Sequence, residues 1–245
     1  MHDFHFDDIR SILCLGAHAD DLEIGCGGTL ARYASDGHRV TMCVVANGNM
    51  GHAVIQPEEL RAIRASEMQR AGKILGAQEV VCLDVNDLEV DSNRPETVKK
   101  MVDLIRRVQP DVILTHPQED YMKDHVEVGR LVFDASFSAS VPHYLTPTPG
   151  VAKITPLYWM DTVGGVNFLP VEYVDVSAFI EQKLEALSCH ESQIKWMYEH
   201  DGIDFLDFVR TVAKFRGQQC GTAFAEGFRQ CQTWPRLTAS RLLPG

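Results

Sequence analysis

Gly16-Ala17-His18-Ala19-Asp20-Asp21 crowds one imidazole and two carboxylates together directly after an apolar run at 12–15. Such crowding is costly unless a cation or proton traffic compensates it. Imidazole and carboxylate are both zinc ligands, and a catalytic zinc takes three protein ligands and keeps a fourth position for water. His18 and Asp21, three residues apart on a turn, can converge on one ion, while Asp20 can face the attacking water. The competing reading is that these side chains cap the helix that follows, and the local pattern leaves both open. A second cluster, Asp120-Tyr121-Met122-Lys123-Asp124-His125, follows another apolar run at 112–114. There His125 can supply a third ligand, and Asp124 can orient an imidazole through its other ring nitrogen. A lone His at a helix start is more often a cap. It becomes a ligand candidate when the fold sets residue 125 beside 18–21.

The elements must therefore bring two loops together across a hundred residues. Apolar runs at 12–15, 40–45, 80–83 and 112–114 read as buried strands. Helical patterns lie between them at 28–35, 57–75 and 95–108, the last two opening on Pro-Glu, which suits a helix start. A fourth helix is expected after His125, through Val128, Leu131, Val132 and Ala135. This alternation implies an α/β fold with a mainly parallel sheet and helices on both faces. In such sheets ligands sit beyond the carboxyl ends of the strands, where strand order reverses. A strand order of 3-2-1-4 would make the loops 16–21 and 116–125 neighbours at that point. The Pro-rich stretch 139–153 reads as a surface loop, followed by strands near 154–160 and 172–176, a long helix from about 177 to 198 and another over 202–216.

Composition narrows the chemistry further. A formal charge of −11 argues against nucleic acid and anionic membrane surfaces, which demand clustered Lys and Arg. No apolar run reaches the roughly 20 residues of a membrane helix. The opening residues lack the apolar core of a signal peptide, and seven dispersed cysteines without a CxxC pair read as reduced thiols. A cytoplasmic protein with a single domain over 1–245 is the expectation. Gly25-Cys26-Gly27-Gly28 is not the G-x-G-x-x-G of dinucleotide sites, and the acidic turn before it would repel a pyrophosphate. His116, His143, His190 and His200 could line a pocket, though surface or structural roles suit each better, and Cys189-His190, inside a helical pattern, reads as structural. Tyr158, Trp159 and Asp161 end a strand, and either floor a sugar site or pack in the core.

The string AHADDLEIGCGGTLARY resembles the A-H-P-D-D motif of the PIG-L (LmbE-like) deacetylases, and the resemblance extends through ELRAIRASEMQRAGKILGA, DYMKDH, KLEALSCHESQ and GTAFAEGF. Among the members, those acting on N-acetylglucosaminyl-malate look most similar. The resemblance implies a Rossmann-like fold, one zinc per chain, and hydrolysis of an N-acyl group, most often N-acetyl, from a small amino sugar or glucosaminyl conjugate. It matches His18, Asp21 and His125 to the zinc ligands and Asp20 to the general base. It places Arg64 near the substrate, with Glu67 completing an R-x-x-E; the alternative for Arg64 is an intrahelical ion pair with Glu67 or Glu58. Asp124 is a second candidate for substrate contact. A homo-oligomer is also implied. Two positions depart from the family: Ala19 stands for the usual Pro, and Met122 for the first His of H-P-D-H, whose loss removes a donor. Cleavage of a larger amide, such as a thiol conjugate, and metal-dependent binding without turnover are the rival readings.

Overall fold

Side chains alternate across a strand, so a strand buried on both faces must be apolar throughout. The runs at 12–15, 40–45 and 112–114 are buried in this way, and that at 80–83, on the edge strand, is only partly covered. In the computed structural model, which describes residues 6–245, they form β1 (Ser11–Gly16), β2 (Arg39–Ala46), β3 (Glu79–Val85) and β4 (Val112–Thr115). Residues 1–5 of the opening segment read for targeting lie outside the described residues. Later strands β5 (Leu157–Met160), β6 (Glu172–Asp175) and β7 (Ala225–Gln230) complete one sheet of order β3-β2-β1-β4-β5-β7-β6. The first five strands in that order run parallel, and β7 is antiparallel to both its neighbours. Ile12 and Cys14 point to the layer of α1 (Asp21–Ser35) and α2 (Pro57–Leu75). Leu13 and Leu15 point to the layer of α3 (Pro95–Val108) and α4 (Lys123–Ser138). No helix of the described residues is long and apolar enough to cross a membrane.

Three elements differ from the sequence reading. Helix α1 begins at Asp21 rather than residue 28 and is kinked at Cys26, where φ is −150°. Its glycines serve close packing: a Cβ on Gly28 would lie 2.6 Å from Val176, and one on Gly25 would lie 2.7 Å from the Met160 sulfur. A buried ion pair bridges the break in the helix. Lys183 donates to the Ile24 carbonyl (2.7 Å) and to Glu226, which accepts from the Gly28 (2.9 Å) and Thr29 (2.8 Å) amides.

The long helix expected over 177–198 is broken at Cys189–His190. It becomes α5 (Ile180–Ser188), α6 (Glu191–Trp196) and a π turn, Met197–Asp201. Two buried carboxylates account for the break. His190 turns inward to within 3.5 Å of Glu23, and Glu67 accepts from the Ser192 amide (2.8 Å) and hydroxyl (2.7 Å) at the new helix start. Strand β7 was missed because AEGFRQ mixes Gly and charges. It follows α7 (Phe205–Cys220) and is recruited by pairing with β5 and β6. Tyr158 and Trp159 pack into the two layers, and Asp161 is paired with Arg216, so these residues are structural rather than a sugar floor.

Replacing Glu226 with Ala leaves Lys183 buried without its partner and uncaps the second half of α1. Urea unfolding of Glu226→Ala is expected to show a loss of about 3–5 kcal/mol, whereas an unchanged midpoint and slope would mean that the pair does not hold the kink.

Candidate active site

Strands β1 and β4 are neighbours in register, Leu15 opposite Thr115, so the chain leaves both at the same edge. Helix α1 and helix α4 start from the two loops, and their first turns carry the polar clusters. Asp21, the first residue of α1, is buried with imidazoles around its carboxylate. Its Oδ1 lies 3.2 Å from His125 Nε2; its Oδ2 lies 3.1 Å from His116 Nε2 and 3.4 Å from His18 Nδ1. The His18 amide donates to the same Oδ2 at 2.6 Å, which fixes the turn. Burial alone would raise the Asp21 carboxyl, but His125, His116 and His18 hold it well below the usual range.

His18, Asp21 and His125 offer ligand atoms within 4.8 Å of one another. Their chemistry fits a metal at one atom in particular. His125 Nδ1 lies 3.0 Å from Asp120 Oδ2, while its buried Nε2, facing Asp21 Oδ1 at 3.2 Å, makes no hydrogen bond among the described residues. A neutral imidazole that donates from Nδ1 presents a bare lone pair at Nε2, as a metal ligand must. His116, Asp120 and His125 form a second such group. There the Asp120 carboxylate faces His125 through a hydrogen bond, and neither His116 nor Asp120 lines the open cavity beside the site.

The imidazole that Asp124 faces is that of His18 and not that of His125. The Asp124 Oδ2 lies 3.4 Å from His18 Nε2 and accepts from the Leu88 amide at 2.7 Å. Asp124 stands behind His18 and is not among the residues that line the cavity. Asp120 takes the place assigned to Asp124, because α4 starts at Lys123 and turns residue 124 toward the first loop. Each histidine of the set thus has its own carboxylate: Asp124 for His18, Asp120 for His125. Asp120 was given no role from sequence, and His116 was read as a surface or structural residue. The available signal was Asp120 five residues before His125 in a polar loop following a buried strand.

Asp20 is the residue before α1, yet its side chain makes no capping hydrogen bond. It lines a cavity of about 370 Å³ together with His18, Asp21, Arg64, Met122 and Gln193. Arg64 forms an ion pair with neither Glu67 nor Glu58 among the described residues; Glu67 caps α6 and Glu58 faces Arg61. Instead its guanidinium donates to the Gly51 carbonyl (3.3 Å) and to Gln193, and its Nε is buried without a partner. Gly48, at φ +78°, makes room for it, since a Cβ there would lie 2.3 Å from Arg64 Cδ. His143 and His200 are exposed, and His190 is buried against Glu23.

Burial disfavours the charged form of His125, but Asp21 and Asp120 outweigh it and push the ring up to about 9; Asp21 and Asp124 likewise raise His18. His116 goes the other way, to about 4, through burial and the neighbouring His125.

Comparison with known proteins gives the same framework. The family profile described as GlcNAc-PI de-N-acetylase (PIG-L) matches residues 13–136. The chain is 31% identical to the diacetylchitobiose deacetylase of Thermococcus kodakarensis over 235 residues, 91% of this chain and 84% of that protein. The structure of N,N'-diacetylchitobiose deacetylase from Pyrococcus horikoshii superposes with a TM-score of 0.78 at 27% identity, covering 92% of this chain and 85% of that one. A likeness in fold alone extends to the 4-carboxy-2-hydroxymuconate hydratase of Pseudomonas putida, with a TM-score of 0.80 at 24% identity, covering 94% and 98%.

Two outcomes follow from the paired carboxylates and the raised imidazoles. Asp120→Asn and Asp124→Asn should each weaken metal affinity by about ten- to a hundredfold in competition titrations; unchanged affinity in either would dismiss that carboxylate as a support. In metal-free protein, the stability contributed by the protonated rings is complete below the unfolded value of about 6.5 and is lost as pH rises through about 9 for His125. Metal binds the neutral rings. The rise in Tm on adding metal should therefore grow from pH 6 to pH 9, and a constant rise would contradict the assignment.

Proposed function

The chain belongs to the PIG-L family of GlcNAc-PI de-N-acetylases, and from that premise we propose that it is a zinc-dependent hydrolase removing an N-acetyl group from an amino sugar or glucosaminyl conjugate. The observation that carries this reading is the buried Nε2 of His125, which makes no hydrogen bond among the described residues and faces Asp21 and His18. Those three residues would hold the ion. Two neutral imidazoles and one carboxylate suit zinc, whereas magnesium favours an all-oxygen set. When bound, the ion supplies Lewis acidity to an amide carbonyl and makes an adjacent water more acidic.

The chain's own groups carry the proton. Asp20, uncapped and on the cavity wall, accepts a proton from the attacking water at its carboxylate. It returns that proton to the amide nitrogen as the carbon–nitrogen bond breaks. Met122 reaches the same cavity, but a thioether donates no hydrogen bond, so the leaving amine draws its proton from Asp20. Arg64 and Gln193, bonded to each other, offer donors to substrate oxygens. The amino-sugar class is supported by the deacetylase relatives. An uncapped carboxylate beside the metal residues favours turnover over mere binding, because a binder has no use for a base there. Free cysteines throughout support a cytoplasmic setting, and the family resemblance supports a homo-oligomer built from one domain per chain.

Acetate release from a panel of N-acetylated amino sugars, with metal content measured on the same sample, tests the reading. His18→Ala and His125→Ala should both lose the metal; full occupancy in either would break the ligand set. Asp20→Asn should keep the metal while kcat drops about a hundred- to ten-thousandfold, and near-normal turnover would remove Asp20 as the base. Met122→Ala should cost less than about tenfold in kcat, roughly 1.4 kcal/mol, as a loss of packing; a larger drop with metal retained would give residue 122 a direct part in turnover.

A further inference from the structure

Resting on the amide-hydrolase reading, we infer that the substrate carries an alkyl or aryl group, and that this group lies on an apolar wall formed by Ile24, Val163, Met197 and Phe205. All four line the cavity beside His18 and Asp20. They also belong to one apolar cluster with Ile180, Leu184 and Val209 of α5 and α7, so the wall is the open face of a packed core. Ile24, Val163 and Met197 are half-buried, and cavity space meets their uncovered sides.

The polar groups of the cavity are too few to serve a substrate that is polar all round. Apart from the metal residues and Asp20, its charged side chains are Arg64 and Asp87. Asp87 is already engaged, its two oxygens accepting from the Gly48 (2.8 Å) and Met50 (3.1 Å) amides. Arg64 and Gln193 bind each other, which confines hydroxyl recognition to one patch.

The loops add apolar side chains where polar ones would be the cheaper choice. Met50 is 50% and Leu88 72% exposed, and both line the cavity. Leu88 sits at φ +68°, a region unfavourable for any side chain. Its amide is held there by Asp124, the carboxylate that also faces His18. The strained turn thus puts an isobutyl group at the cavity, tied to the metal residues. With Met122 and Met197, Met50 supplies a third flexible thioether, a side chain that moulds itself to varied apolar shapes.

The apolar group can be attached at either end of the scissile amide, as the acyl chain or as an aglycone on the sugar. Zinc-loaded protein should be assayed with methyl and octyl β-N-acetylglucosaminides, and with N-acetyl- and N-octanoyl-glucosamine, all below micellar concentration. One octyl compound should exceed its short counterpart at least tenfold in kcat/KM, mainly through KM, and the arm that responds identifies the source. Tenfold corresponds to burying about two methylene groups. Val163→Thr and Met197→Gln, which keep side-chain size, should bring that ratio toward one.

Calorimetry gives a readout without turnover. Octyl β-glucosaminide or octanoate should bind at least tenfold more tightly than methyl β-glucosaminide or acetate. Equal affinities and equal kcat/KM on both arms would overturn the inference and leave the hydrolase reading standing. Tighter octyl binding without cleavage of any amide would sustain the wall and sink the hydrolase.

Discussion

The site is organised around a single buried carboxylate. Asp21 has three imidazoles within 3.4 Å of its oxygens and a backbone amide at 2.6 Å. An anion removed from water this completely survives only with compensating partners, and its surroundings are arranged accordingly. His116 approaches from the end of β4, His125 from the first turn of α4, and His18 from Asp21's own turn. Each demand extends outward. Asp120 and Asp124 face the far nitrogens of His125 and His18, and Asp124 in turn holds the strained Leu88 turn.

Such an arrangement requires a rigid approach of two chain ends, and the parallel pairing of β1 with β4 provides it. The strands on the other side of β1 continue the order away from the site, so the edge between β1 and β4 is the point where connections diverge and a cleft opens. Helix α1 has to begin at Asp21, with no loop to spare, and still lie flat against the sheet. The kink at Cys26, the glycines packed on Met160 and Val176, and the Lys183–Glu226 bridge reconcile those two conditions. The glycine run after the turn at 18–21 is therefore a packing device.

The cavity joins this centre to two surroundings of opposite character. On one side are Arg64 and Gln193, set in place by α2 and the short α6; α6 exists as a separate helix because Glu67 caps it. On the other is the open face of the α5–α7 core. A fold shared with a hydratase as well as with deacetylases does not by itself choose a reaction. The family and its deacetylase relatives favour the hydrolytic one, and the walls bear on what the substrate carries.

The sequence by itself determined the local parts. Buried parallel strands must be apolar throughout and helices must show their period, so the first four strands, their intervening helices and the two polar loops were legible. So were His18, Asp20, Asp21 and His125 as residues able to meet on the condition of a strand order 3-2-1-4, which the sheet supplies as β3-β2-β1-β4. What only the tertiary structure decided depends on contacts with no local signature. Asp120 rather than Asp124 faces His125 because of where α4 begins, and a shift of one residue along a helix start turns a side chain to another side. The helix expected over 177–198 breaks because Glu23 and Glu67, more than a hundred residues earlier, offer stronger partners than helix continuation. β7 is a strand through its neighbours and not through its composition. Propensity is a weak term that buried charge and sheet pairing override, and at those places the sequence carried the groups without revealing their partners.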